Sequence, residues 1–73
     1  MYLIKGKIYR DTPEKHTKST YLKFVEYDKE EGFCFEYAGG DNGYLQRESG
    51  IIVLSIHLLS RLYEPTPEEL ENL

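Results

Sequence analysis

The stretch Thr20-Tyr21-Leu22-Lys23-Phe24-Val25-Glu26-Tyr27 is followed by Asp28-Lys29-Glu30-Glu31-Gly32 and then Phe33-Cys34-Phe35-Glu36-Tyr37-Ala38. Two runs rich in aromatic and β-branched residues flank a short polar segment ending in glycine, and that pattern predicts an antiparallel hairpin. In the first run Tyr21, Val25 and Tyr27 share a face with Lys23, while Leu22 and Phe24 share the other with Glu26. Large apolar groups on both faces predict a central or strongly curved strand. In the second run Phe33, Phe35 and Tyr37 alternate with Cys34, Glu36 and Ala38, which puts three aromatics on one side of the pleat. Gly32 supplies the positive φ that such a turn needs.

Working outward, Tyr2 to Arg10 reads as a strand with a weak point at Gly6, because glycine inside a strand marks a bulge or a close backbone approach. Residues 11–18 are polar, carry Pro13 and show no period, so they form a loop. Gly39-Gly40-Asp41-Asn42-Gly43 is a turn of residues that tolerate left-handed backbone. It lacks the spacing of a phosphate-binding loop, and no helical pattern follows it. Tyr44 to Arg47 is a short strand, Glu48-Ser49-Gly50 a turn or bulge, and Ile51 to Leu54 a buried strand. The period then changes. Ile56, Leu59 and Tyr63 fall on one helical face, which predicts a helical or 3₁₀ turn around residues 56–60 with Ser55 as N-cap. Residues 61–64 return to strand, and Pro65 ends it. In the tail Thr66 can cap, Pro67 takes the first helical position and Glu69 completes a capping box. So short a helix needs Leu70 and Leu73 to dock.

The reading is a mostly-β chain: five or six antiparallel strands in a small barrel, one helical turn and a short C-terminal helical tail. Residues 1–65 form the barrel domain and 66–73 the acidic tail. Closure removes the edges that a lone antiparallel sheet would expose. The expected core is Ile4, Ile8, Leu22, Phe24, Phe35, Ile52, Leu54, Leu59 and Leu62. Cys34 is the single cysteine, so no disulfide forms within the chain. With no signal peptide, this fits a reducing cytoplasm. The longest apolar run, Ile51-Ile52-Val53-Leu54, is far short of the ~20 residues that span a bilayer.

Chemistry finds little support. Cys34, His16 and His57 are far apart and lack the paired spacing of a zinc site, so no metal or cofactor is expected. Cys34 sits in an aromatic strand, where a buried structural thiol is the norm. The carboxylate pairs Glu30-Glu31 and Glu68-Glu69 belong to a turn and a helix start, not to a pocket that could tune a general acid. The chain therefore reads as a non-enzymatic binding domain. One class of partner is nucleic acid, with Arg10, Lys15 and Lys18 meeting phosphates beside Phe33, Phe35 and Tyr37. Against it, residues 24–73 hold three basic residues and eleven acidic ones, which repel a phosphate backbone. A protein partner is favoured. Seven tyrosines and three phenylalanines exceed what so small a core buries, so some of Tyr2, Tyr9, Tyr27, Tyr44 and Tyr63 should be partly exposed. Tyr44 and Tyr63, next to turns or element ends, are the first candidate anchors. The acids Glu68, Glu69 and Glu71 offer a second surface.

The order of elements resembles an SH3-like barrel. A polar loop follows the first strand, and the stretch Ser55 to Pro65 places a helical turn before the last strand. The chain also resembles short accessory proteins of bacteriophages and mobile elements, through the strand and loop Gly6 to Asp11 and the hairpin Tyr21 to Tyr37. That resemblance implies a small protein that binds and modulates a host macromolecule. The proline-peptide signature of signalling SH3 domains and the glycine-spaced RNA-binding motif of ribosomal ones are both absent.

Overall fold

The computed structural model describes residues 2–11, 19–41, 44 and 49–73. Five antiparallel strands form one sheet in the order β4-β3-β2-β1-β5. They are β1 (Ile8–Asp11), β2 (Thr20–Asp28), β3 (Gly32–Gly40), β4 (Ile51–Leu54) and β5 (Leu62–Tyr63). A 3₁₀ helix, Ile56–Arg61, joins β4 to β5, and a short helix α1, Pro67–Glu71, closes the chain. Strands β1 to β4 follow one another as a meander, and β5 returns to the free side of β1, pairing Arg10 with Tyr63 and Asp11 with Leu62. The strand expected over 44–47 falls largely on residues outside the described ones.

The central hairpin forms where the aromatic pattern places it, with its turn tied by Asp28. The Asp28 carboxylate accepts the backbone N–H groups of Glu30 (2.8 Å) and Glu31 (3.1 Å). Strict alternation fails within β2, however. The register shifts between Phe24 and Glu26, so that Phe24 faces Phe35 and Tyr27 faces Phe33. A bulge inserts one residue and moves everything beyond it to the other side of the pleat. Tyr27 therefore joins the face of Leu22 and Phe24, not the face of Tyr21 and Val25. A second shift between Tyr21 and Leu22 sets Leu22 opposite Tyr37.

The core comprises Tyr9, Leu22, Phe24, Phe35, Ile52, Leu54, Leu59 and Leu62, with the rings of Phe24 and Phe35 tilted at 5.3 Å between centroids. Seven of the nine expected core residues are in it. Ile8 is half-buried, and Ile4 is 47% exposed. Gly6 accounts for Ile4: its φ of 82° turns the chain, with Lys7 N–H on the Ile4 carbonyl (3.1 Å) and Gly6 N–H on the Phe24 carbonyl (2.8 Å). The first strand consequently starts at Ile8, not Tyr2. Tyr9, one of the five tyrosines of which some were expected at the surface, is 1% exposed, and its hydroxyl accepts the Ile4 N–H at 2.9 Å. The expected Gly39–Gly43 turn is partly strand, since β3 runs to Gly40. A β-carbon on Gly40 would lie 2.2 Å from the Ser19 carbonyl oxygen, so the strands approach there at a distance that only glycine permits. Ser55 occupies the cap position of the 3₁₀ helix without a side-chain cap bond; the bond that starts the turn runs from Leu58 N–H to the Ser55 carbonyl (3.0 Å). Cys34 is buried, with its thiol 3.7 Å from the Gly32 carbonyl.

Candidate functional site

Strand β2 connects two unlike regions, and the sequence-derived candidates divide between them. At its start lies a polar cluster. Asp11 is 1% exposed, and a buried carboxylate must be paired and hydrogen-bonded to be tolerated. Arg61 meets that need with a two-pronged contact, Nε to Oδ1 at 3.0 Å and Nη2 to Oδ2 at 2.8 Å. Tyr44 completes the set: its hydroxyl donates to Asp11 and accepts from Arg61 Nη2 at 2.7 Å. Burial, and then the hydrogen bond to Asp11, push the Tyr44 hydroxyl up to about 12. The Asp11 contact also raises the Arg61 guanidinium further above its ordinary value. Tyr44, expected to be an exposed anchor, is thus half-buried with its hydroxyl used inside the molecule.

A second cluster joins the tail to the sheet. Arg10 Nη1 donates to Glu69 and Nε to Ser19 Oγ at 2.7 Å. Its guanidinium carbon lies 5.9 Å from the Tyr21 ring centre and 5.6 Å from that of Tyr63, a geometry in which cation and ring attract. Tyr21 also donates its hydroxyl to Glu69 at 3.2 Å. The Glu69 carboxylate closes the capping box as well: its Oε1 accepts the Thr66 N–H (3.1 Å), while Thr66 Oγ1 accepts the Glu69 N–H (3.2 Å). The Thr66 amide first, then Arg10, hold the Glu69 carboxyl below its ordinary value. The structure therefore brings Arg10, Tyr63 and Glu69 together, three residues expected at separate partner surfaces. It commits Arg10 and Glu69 to each other. Glu68 and Glu71 are exposed, and Tyr63 is 41% exposed. Lys15 and Lys18 lie outside the described residues.

At the other end of β2 the surface is apolar. The rings of Tyr27 and Phe33 pack at 4.8 Å between centroids and form a wall shared by two grooves. The first groove, of about 470 Å³, lies between this wall and the N-terminal residues Tyr2, Ile4 and Lys5, with Phe24 beneath. The second, of about 510 Å³, lies between the wall and Leu54, Ile56 and Glu31. Tyr2 is 87%, Tyr27 55% and Ile56 67% exposed. Large apolar side chains clustered on a surface are the signature of a contact site, whereas scattered ones are ordinary. Counting tyrosines pointed toward such a patch but not to its place. Tyr27 reaches it only through the bulge, and the helical face that Ile56 shares with Leu59 and Tyr63 in the sequence pattern does not show that Ile56 is exposed.

Among the described residues no group of three or more His, Cys, Asp or Glu side chains could hold a metal ion, and no helix is long and apolar enough to cross a membrane. Comparison with protein-family profiles, curated proteins and solved structures finds no match to this chain.

Proposed function

We propose that the chain is a non-enzymatic protein-binding module that works in the cytoplasm through the paired grooves around Tyr27 and Phe33. The observation that carries this reading is the exposure of Tyr2, Ile4, Tyr27 and Ile56 around one aromatic wall. An apolar centre with a polar rim is what a protein interface requires. Tyrosine suits such a centre because its ring is covered while its hydroxyl stays hydrated. The strand order, with a 3₁₀ helix before the last strand, supports an SH3-like barrel. It is in keeping with an accessory protein of a bacteriophage or mobile element that modulates a host macromolecule.

The competing reading, nucleic-acid binding through Arg10, Lys15 and Lys18, is weakened by two arrangements. Arg10 is held by Glu69 and Ser19. Of the three strand aromatics, Phe35 is buried and Tyr37 donates its hydroxyl to the Gly40 carbonyl.

The test is capture of partners from a nuclease-treated lysate by the wild-type chain and by Ile56→Asp, together with titration of purified DNA and RNA. A protein retained by the wild type and lost by Ile56→Asp supports the proposal. Direct nucleic-acid binding that weakens steeply with salt, by about −0.9 in log–log slope per duplex phosphate neutralised, overturns it.

A further inference from the structure

On the face of the sheet away from the core, Tyr63, Arg10, Tyr21 and Gly39 form a row across β5, β1, β2 and β3. Arg10 pairs with Tyr63 on one side and with Tyr21 on the other, and Tyr21 pairs with Gly39. Their chain neighbours Tyr9, Asp11, Leu22 and Leu62 are buried on the opposite face. The row is a cation between two tyrosine rings, ending in a glycine, and the C-terminal tail lies on it. Glu69 accepts from the Arg10 guanidinium and from the Tyr21 hydroxyl. Leu73, four residues on, fills the space above Gly39, where a β-carbon would lie 2.6 Å from Leu73 Cδ2. Residues four apart share a face of a helix. Leu73 keeps close to that spacing just past the end of α1, with its N–H on the Leu70 carbonyl at 3.4 Å.

We infer that the row Tyr63–Arg10–Tyr21–Gly39 is a second binding site, for a partner helix that carries a carboxylate and a leucine one turn apart, and that the tail fills it as a displaceable strap. The site lies at the opposite end of β2 from the grooves and does not depend on the reading given to them. The chemistry of the occupant is read from the tail already seated there. A phosphate backbone would satisfy Arg10 but leave the notch at Gly39 unfilled, whereas an acidic helix fills both. The tail is held loosely enough to be displaced. No residue of α1 is buried, Leu70 and Leu73 remain exposed, and Arg10 and Glu69 keep part of their surface in solvent. A helix of five residues does not hold itself together, and ion pairs that are partly solvated shift an equilibrium only a fewfold. Length also separates the partner from a second copy of this chain. The copy's tail makes the same contacts as the tethered one, whose local concentration across a short linker is about millimolar, so it loses the competition below that range. A longer partner helix, formed before it binds, has less ordering to lose and can win.

The probe is a blocked peptide with the sequence of residues 64–73 followed by one further turn of alanine and lysine, which lengthens the helix. It is titrated into the ¹⁵N-labelled full chain, wild type and Glu69→Lys, and followed by amide chemical shifts. Glu69→Lys sets a cation beside Arg10 and drives the tail off the row. The peptide should move the amides of Arg10, Tyr21, Gly39 and Tyr63 and leave those of Tyr27, Phe33 and Ile56 in place. It should bind Glu69→Lys about fivefold more tightly than the wild type, because the competing tail has lost its ion pair. If Glu69→Lys disturbs the sheet resonances, Glu69→Gln replaces it, with a smaller difference of the same sign. The peptide carrying Glu69→Lys should lose binding to both chains, and the peptide carrying Leu73→Ala should bind less tightly than the parent. Equal affinity of the parent peptide for the two chains, no binding to the variant, unchanged binding of either substituted peptide, or shifts centred elsewhere would overturn the inference. So would an oligonucleotide that binds the opened row more tightly than the peptide does, which would make the site one for phosphates. Dimerisation of the wild type below millimolar concentration, with the same shifts and no peptide added, would make the occupant a second copy and overturn it as well.

Discussion

The two ends of β2 use the same residue type in opposite ways. Near Thr20, the hydroxyls of Tyr21 and Tyr44 are hydrogen-bonded within the Arg10–Glu69 and Asp11–Arg61 clusters. Near Asp28, the Tyr27 ring packs at a tilt against Phe33 and remains 55% exposed. At the first end the polar tip of tyrosine closes a network inside the molecule. At the second, the apolar body of the ring is offered outward. The lesson is that an excess of tyrosine in a small domain has two outlets, and the distribution of charge decides between them. Where Arg10, Asp11, Arg61 and Glu69 converge, tyrosine becomes structural; where the neighbours are Ile4, Phe24, Leu54 and Ile56, it becomes surface.

The sharpest break between the regions is in stability. Phe35→Ala, at a site with no exposure, should cost about 3–5 kcal/mol. Ile56→Asp, at the exposed groove, should stay within about 0.5 kcal/mol. Chemical denaturation of the two variants measures both. Similar losses would mean that Ile56 is a packing residue and not part of an open surface.

Next in size is the buried ion pair. Arg61→Leu should cost about 3 kcal/mol, because it leaves the Asp11 carboxylate buried without its cation. Replacing Asp11 and Arg61 together by apolar residues should recover much of that loss, which a double-mutant cycle reads directly.

The partition between legible and hidden features follows from the range of the interactions. The hairpin, the 3₁₀ turn and the capping box Thr66–Glu69 were all readable, because each is written within a few consecutive residues. Seven expected core positions were readable for a similar reason, since apolar runs at strand spacing have few other places to go. The Asp11–Arg61–Tyr44 cluster was not. Its members are 50 and 33 residues from Asp11, and no local period links them. The groove was hidden by a single bulge. One inserted residue between Phe24 and Glu26 moved Tyr27 across the sheet, and side-chain alternation cannot reveal where such an insertion falls. Ile4 lies outside the core because the positive φ of Gly6 ends the extended run that its neighbours suggest.

Smaller effects come from titration. Tyr44 ionises in the unfolded chain near 10 and in the folded chain near 12. The folded state therefore holds the proton more tightly. The stability it contributes is complete below pH 10 and is lost as pH rises from 10 towards 12. Tyr44→Phe should remove that part of the alkaline loss, and the late step in tyrosinate absorbance should disappear with it. An unchanged late step would assign it to another tyrosine.

The smallest effect concerns the tail. Thr66→Ala should weaken α1 by about 1 kcal/mol, visible as faster amide exchange over residues 67–71 with the sheet unaffected. Glu69 gives the matching pH dependence. Its folded value lies below the ordinary 4.5, so its contribution is present above that pH and is lost as pH falls through the folded value. Acidification should free the tail in the wild type and change little in Glu69→Gln. Equal acid response in both would show that the Arg10–Glu69 contact does not hold the tail.

The most direct test of the contrast between a closed end and an open one is amide hydrogen exchange of the chain alone and bound to its captured protein partner. The account predicts new protection over residues 27–33 and 54–56, with exchange at Arg10, Asp11 and residues 61–71 unchanged. Protection centred on Tyr63 and α1, with the Tyr27–Phe33 wall still exchanging freely, would contradict it.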